Sequence, residues 1–290
     1  MHPAPSIILF TSLSGVGFGL LIWLGLGVPY VEGWNAFWAF GLAFGLALIG
    51  LISSTLHLGH PERALKAFSQ WRSSWLSREG VVSVAALLVL APFAFCRVFM
   101  GVDLWLLGWI GAALSLLTVI CTSMIYAQLK TVPRWNMTIV PPLFVLYSIA
   151  AGAVLVLPGW GTLLMLVVLT IVQAGYWMLG DKKFASAGHS MESATGLGDI
   201  GKVRLLESPH SGSNYLLKEM AYQVGRKHQR RLRIISLVLI GVVPIVVLLL
   251  VPNLVGRLIA LDLHIIGLLA ARWLFFAEAE HVVGLYYGKR

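Results

Sequence analysis

Apolar runs of about twenty residues recur along the chain with short polar breaks between them. Crossing about 30 Å of hydrocarbon takes roughly 20 apolar residues in a helix. The pattern therefore predicts eight membrane spans, at about 7–28, 37–56, 80–99, 104–126, 137–157, 159–179, 234–251 and 254–281. The expected fold is an all-α integral membrane protein, an eight-transmembrane-helix bundle forming a single membrane domain over 1–290. Gly15, Gly17, Gly19, Gly25 and Gly27 in the first span, and Gly41, Gly45 and Gly50 in the second, mark faces where helices can approach closely. Pro141 and Pro142 fall where a first helical turn tolerates proline. Pro244 predicts a kink in the seventh span.

Two polar stretches break the rhythm, 57–79 and 180–233. The first half of the longer one is rich in Gly and Ser and reads as loop. From Ser213 onward the pattern offers a helix start leading into the seventh span. Asn214 and Lys218 there, with Arg72 and Arg78 in the shorter stretch, are candidates for docking a soluble partner; a solvated loop is the plainer reading of the same residues.

Composition excludes an ordinary soluble domain, because 58% of the residues are hydrophobic and 11% charged, against about 25% charged in soluble domains. The first apolar run lacks the basic leader and small-residue cleavage site of a secretory signal, so it is read as a retained helix. Cys96 and Cys121 lie in apolar runs without metal-ligand spacing, which supports neither a disulfide nor an iron-sulfur cluster, and no metal site is expected. The formal charge of +9 comes from residues flanking the spans, where lipid and orientation account for it and nucleic acid does not. Eighteen of the Lys and Arg residues fall on the side carrying the termini and two on the other. By the positive-inside rule both termini and both polar stretches are expected in the cytoplasm, in a bacterial-type inner membrane.

The stretch HLGHPERALKAFSQWRSSWLSRE, 57–79, joins the second and third spans and interleaves histidines, glutamates and basic residues with aromatic ones. Such a mixture suits headgroup depth and a helix lying along the interface. His57 closes one span and Glu79 opens the next, so a hairpin brings them to one membrane face. Quinone chemistry moves two electrons and two protons, and an imidazole with a partly buried carboxylate can exchange those protons. The residues alone leave a second reading open, in which His57 caps a helix and Glu79 pairs with Arg78 or Arg63. Arg63 can steady a quinone headgroup or meet lipid phosphate.

The last span carries Asp262, His264, Arg272 and Glu278, and charges at that depth are expected to face the bundle interior. Asp262 and Arg272 are about 15 Å apart along a helix, so each needs a partner elsewhere, in a structural network or a proton path. His264 is the sole histidine well inside a span, so no haem is expected. GLGDIGK, 196–202, precedes Val203 where a phosphate loop requires Ser or Thr, and reads as loop.

STLHLGHPERA, WLSRE, GSNYLLKEM and RWLFFAEAEHVVGLYYG together resemble the membrane-anchor subunit of the dimethyl sulfoxide reductase family of molybdenum enzymes (DmsC-like) over essentially the whole chain. The resemblance implies an eight-helix anchor that binds quinone, ubiquinone or menaquinone. It also implies an iron-sulfur electron-transfer subunit and a catalytic molybdopterin subunit as partners, which would hold the clusters and the molybdenum centre. The family's quinol-site histidine falls on His57 and its associated glutamate on Glu79. Anchors of this kind serve sulfoxide and amine-oxide reductases that consume quinol, and sulfite-oxidising enzymes that reduce quinone. A cytoplasmic docking face favours the sulfite dehydrogenase. A secondary transporter, the reading from a different class, predicts inverted repeats that the chain does not show.

Overall fold

A computed structural model describes residues 2–56, 60–207, 212, 214–220 and 228–288, and every regular element among them is helical. The apolar helices are α1 (Pro5–Gly25), α2 (Gly33–Thr55), α3 (Trp75–Met100), α4 (Trp105–Ala127), α5 (Val140–Val156), α6 (Trp160–Ser186), α7 (Gln229–Leu250) and α8 (Leu254–Ala277). Seven are long and apolar enough to cross a membrane; α5, with 17 residues, is shorter. The expected fifth span starts late because 128–139 is taken up by consecutive turns, closed by backbone bonds such as Val132 N–H to Leu129 and Trp135 N–H to Val132.

Local chemistry also moves other helix ends. Ser74 caps α3, its Oγ accepting from the Ser77 N–H at 3.5 Å. The helix thus begins at Trp75, and Glu79 lies inside it. At the far end of α6, Gly180 and Asp181 remain helical, where the sequence suggests a loop. α8 stops at Ala277 with Glu278 as its C-cap, short of the expected residue 281. The last turn of α3 is π-helical at Cys96–Met100, and further π-helical turns occur at Phe10–Ser14 in α1 and Val238–Val242 in α7. The one in α7 directly precedes Pro244, whose ring cannot sit over a regular preceding turn.

α1 is the axis of the bundle, with 67% of its apolar window buried against 50% or less for the other long helices. Its glycines make this possible. A Cβ on Gly17 would stand 2.3 Å from the Ala47 nitrogen of α2, and one on Gly19 would stand 1.8 Å from the Ser148 carbonyl oxygen of α5. Backbone meets backbone at these crossings, the arrangement small residues permit in membranes. Gly50 behaves likewise against Ser14, whereas Gly41 and Gly45 face open space and mark no contact. Smallness allows close approach but does not say where a neighbour stands.

The two ends of the bundle differ. One end has short turns, around Val28–Glu32, Gly101–Leu104, Leu157–Gly159 and Val251–Asn253, and exposes Trp34, Trp38, Trp105, Trp109 and Trp160 beside them. That ring of indoles is what a membrane-water boundary selects. The opposite end, the basic end, gathers 60–74, 128–139, the segment after α6 and the residues after α8. Val282 N–H donates to the Thr131 carbonyl there, and His2 N–H to that of Glu219.

Candidate functional site

Glu79 lies at the basic end on the inward face of α3, in line with Ser83, Ala86, Leu90 and Phe93, all buried. It is 4% exposed, and its Oε1 has no hydrogen-bond partner among the described residues. Leaving a carboxylate oxygen buried and unpaired is costly. Its charge is felt at Cys121 and Tyr126 of the neighbouring α4. Arg78, next to it, does not neutralise it: that guanidinium donates to the carbonyls of Trp71 at 3.0 Å and Arg72 at 2.7 Å and lies 4.3 Å from the Trp75 ring. Arg78 therefore ties the preceding segment to the start of α3.

Over this corner runs a 3-10 helix, Pro61–Phe68, in place of the α-helix expected along the interface. The Phe68 ring comes within 3.4 Å of where a Gly80 Cβ would stand, so the segment rests on α3 beside Glu79. Arg63, Leu65 and Lys66 are exposed on it. His57 lies outside the described residues. The site has a placed carboxylate, an exposed Arg63 nearby in sequence, and an exposed apolar fringe of Leu65, Phe68 and Trp71. Such a site can exchange a proton at Glu79 and receive an amphiphile from the lipid side.

α8 distributes its charges differently from the expected interior network. His264 is fully buried, with Nδ1 2.8 Å from the Ile240 carbonyl and Nε2 without a partner among the described residues. Arg272 is buried among aromatic rings. Asp262 is exposed on the outer surface of the isolated chain, away from both. Glu278 joins a four-membered ion cluster that also holds Arg134, Arg233 and Asp181. Arg134 donates to Glu278 Oε2 at 2.7 Å and to Asp181, and Arg233 donates to Glu278 Oε1 at 2.7 Å and to both Asp181 oxygens at 2.6 and 2.7 Å. The cluster walls a cavity of about 380 Å³ at the basic end.

A model of the DMSO reductase anchor subunit (DmsC) matches residues 1–288. The chain is also 31% identical to a membrane-complex relative from Allochromatium vinosum, one of the subunits of its sulfite dehydrogenase, with 99% of each chain covered. The chain belongs to the DMSO reductase anchor subunit (DmsC) family. No solved structure matches it significantly. As a DmsC-family chain it is a multi-pass membrane anchor and one component of a multisubunit complex.

Among the docking candidates of this DmsC-family anchor, Arg72 and Lys218 are exposed or half-buried at the basic end. Asn214 is held inward, its amide donating to the Tyr287 hydroxyl at 3.3 Å and its Oδ1 accepting from Leu217 N–H at 2.9 Å. Sequence reasoning missed Arg134, Asp181 and Arg233. The one signal for Arg134 is its neighbour Trp135, a tryptophan in a turn, whose Nε1 donates to the Phe275 carbonyl at 2.9 Å and so pins that turn to α8.

Proposed function

We propose that this chain is the quinone-binding membrane-anchor and electron-transfer subunit of a molybdopterin/iron-sulfur oxidoreductase, with Glu79, His57 and Arg63 forming the quinone site. The observation that carries the proposal is the buried Glu79 carboxylate with its unpartnered Oε1, under an amphiphilic segment at one end of the bundle. Glu79 passes protons between the quinone oxygens and water, and His57, arriving from the preceding segment, supplies the second proton-exchanging group. The bound quinone, ubiquinone or menaquinone, contributes the two-electron chemistry, and its tail lies against α2 and α3.

The name of the Allochromatium relative favours sulfite oxidation, with electrons passing from a cytoplasmic molybdopterin subunit through an iron-sulfur subunit to quinone. In this reading α5 is the eighth crossing of a single membrane domain. Contacts near its two ends support that: Trp135 binds the Phe275 carbonyl at the basic end, and Arg257 binds the Leu155 carbonyl at 3.0 Å at the other. The basic end, with both termini, faces the cytoplasm of a bacterial-type cell across its inner membrane, and Arg72 and Lys218 contribute to docking.

The test uses the assembled complex in membranes. In Glu79→Gln and His57→Ala variants, quinone-linked turnover should fall by about 100-fold or more, while turnover with an artificial dye acceptor stays near wild type. Undiminished quinone-linked turnover in both variants refutes the site.

A further inference from the structure

Arg272 is 3% exposed, and its Nε is fully enclosed without an acceptor among the described residues. Its guanidinium lies 3.5 Å from the Phe144 ring centroid and 5.1 Å from that of Tyr147. It makes no hydrogen bond or ion pair among the described residues. Rings attract a cation but offer its N–H groups no good acceptors.

Beside Arg272 is a cavity of about 10 Å³ whose polar lining is Thr11 and Ser14 from α1, Thr122 from α4 and Ser148 from α5. A single water needs about 10–15 Å³ and at least two polar partners. The direction of the hydroxyl protons decides what fits. Thr11 donates to the Ile7 carbonyl at 2.9 Å, Ser14 to Phe10 at 2.6 Å, Thr122 to Thr118 at 3.0 Å and Ser148 to Phe144 at 3.2 Å. All four hydroxyls have spent their donors one turn back, so they turn lone pairs to the cavity. An anion would meet one cation and four acceptors, whereas water accepts from the guanidinium and donates to the hydroxyl oxygens.

The cavity also lies across a seam of buried polar groups. Toward the basic end stand Glu79 and Tyr126, whose ring is 5.9 Å from Phe144. Toward mid-bundle, Tyr147 donates to Gln173 at 2.8 Å, and its ring lies 6.3 Å from that of His264. Hydrated and uninterrupted, such a seam could pass protons. A permanent cation placed in it repels them, the device by which an arginine excludes protons from a water pore.

We propose that the cavity holds ordered water pinned by Arg272, and that this fixed charge blocks proton movement through the bundle core. The core is hydrated at this point without becoming a leak. The block does not depend on the quinone reading, because passive proton flux can be measured with no quinone present.

The full chain is reconstituted in liposomes, a potassium diffusion potential is imposed, and an entrapped pH dye reports proton flux. Wild type and Arg272→Lys should be as tight as protein-free vesicles, and Arg272→Gln should leak protons about tenfold faster or more. A tight Arg272→Gln, or a leak that carries potassium as readily as protons, overturns the block. Should Arg272→Gln not accumulate, the wild-type chain still decides the matter through diffraction from bromide-soaked crystals. Water density within hydrogen-bond reach of Arg272 and at least one of the four hydroxyls is expected; an anomalous bromide peak, or an empty cavity, overturns the proposal.

Discussion

Arg134 and Arg272 are both buried cations in the half of the bundle nearer the basic end, yet their surroundings are opposites. Arg134 shares two carboxylates with Arg233, so two positive and two negative groups alternate around a cluster open to a polar cavity. Arg272, six residues before Glu278, has rings and hydroxyls around it and no acid paired with it among the described residues. Charge in this bundle is neutralised where loops and helix ends meet, and left bare where helices pack. Removing one partner from the first kind of site leaves a buried charge uncompensated; removing the second kind of charge relieves a desolvation cost.

The sharpest way to break the comparison is Arg134→Ala, which strands Glu278 Oε2 and should destabilise the chain by about 3–5 kcal/mol, read as a lower thermal midpoint in detergent. Asp181→Asn should cost much less, about 0–1 kcal/mol, because Asp181 is 44% exposed. Arg272→Met should also be mild, within about 2 kcal/mol, since the cation-π attraction lost is offset by removal of an unpaired buried charge. An Arg272→Met midpoint as low as that of Arg134→Ala would erase the distinction between the two sites.

The smallest expected effect lies beside the cluster, at His281. Burial pushes its imidazole below the usual value, and its Nδ1 accepts from the Val283 N–H at 3.0 Å. The folded state therefore binds fewer protons than the unfolded one here. The stabilisation is complete above the ordinary histidine value, about 6.5, and fades as pH falls toward the lowered one. Amide exchange at Val283 should quicken on acidification over that window in wild type and become pH-insensitive, after intrinsic correction, in His281→Gln.

How far the sequence reports the structure depends on the range of the interaction concerned. Membrane-crossing helices are legible because apolarity over about twenty residues is a local property, and the all-helical class follows. Helix ends are less so: a Ser74 cap and the turns before α5 shift boundaries by several residues without changing hydropathy. Glu79 stands out as a lone carboxylate at the border of an apolar run, which makes it a candidate; its burial and bare oxygen are tertiary facts. The ion cluster is illegible, since Arg134 and Glu278 lie 144 residues apart and nothing in either neighbourhood names the other. Asp262 shows the converse failure. Membrane depth alone suggests that it points inward, but Gly267 and His264 occupy the face of α8 that meets α7, and Asp262 is left outside.

The central seat of α1 constrains how the protein is made. Trp23 anchors its indole N–H on the Ile149 carbonyl at 2.9 Å, across 126 residues of chain. A ribosome thus delivers the bundle's axis first and its principal neighbour much later. In the interval α1 must persist in lipid as a solitary rod, its glycine notches occupied by acyl chains that α5 displaces on arrival. Assembly is therefore a wait followed by an exchange, and a helix too polar to endure the wait would forfeit the whole fold.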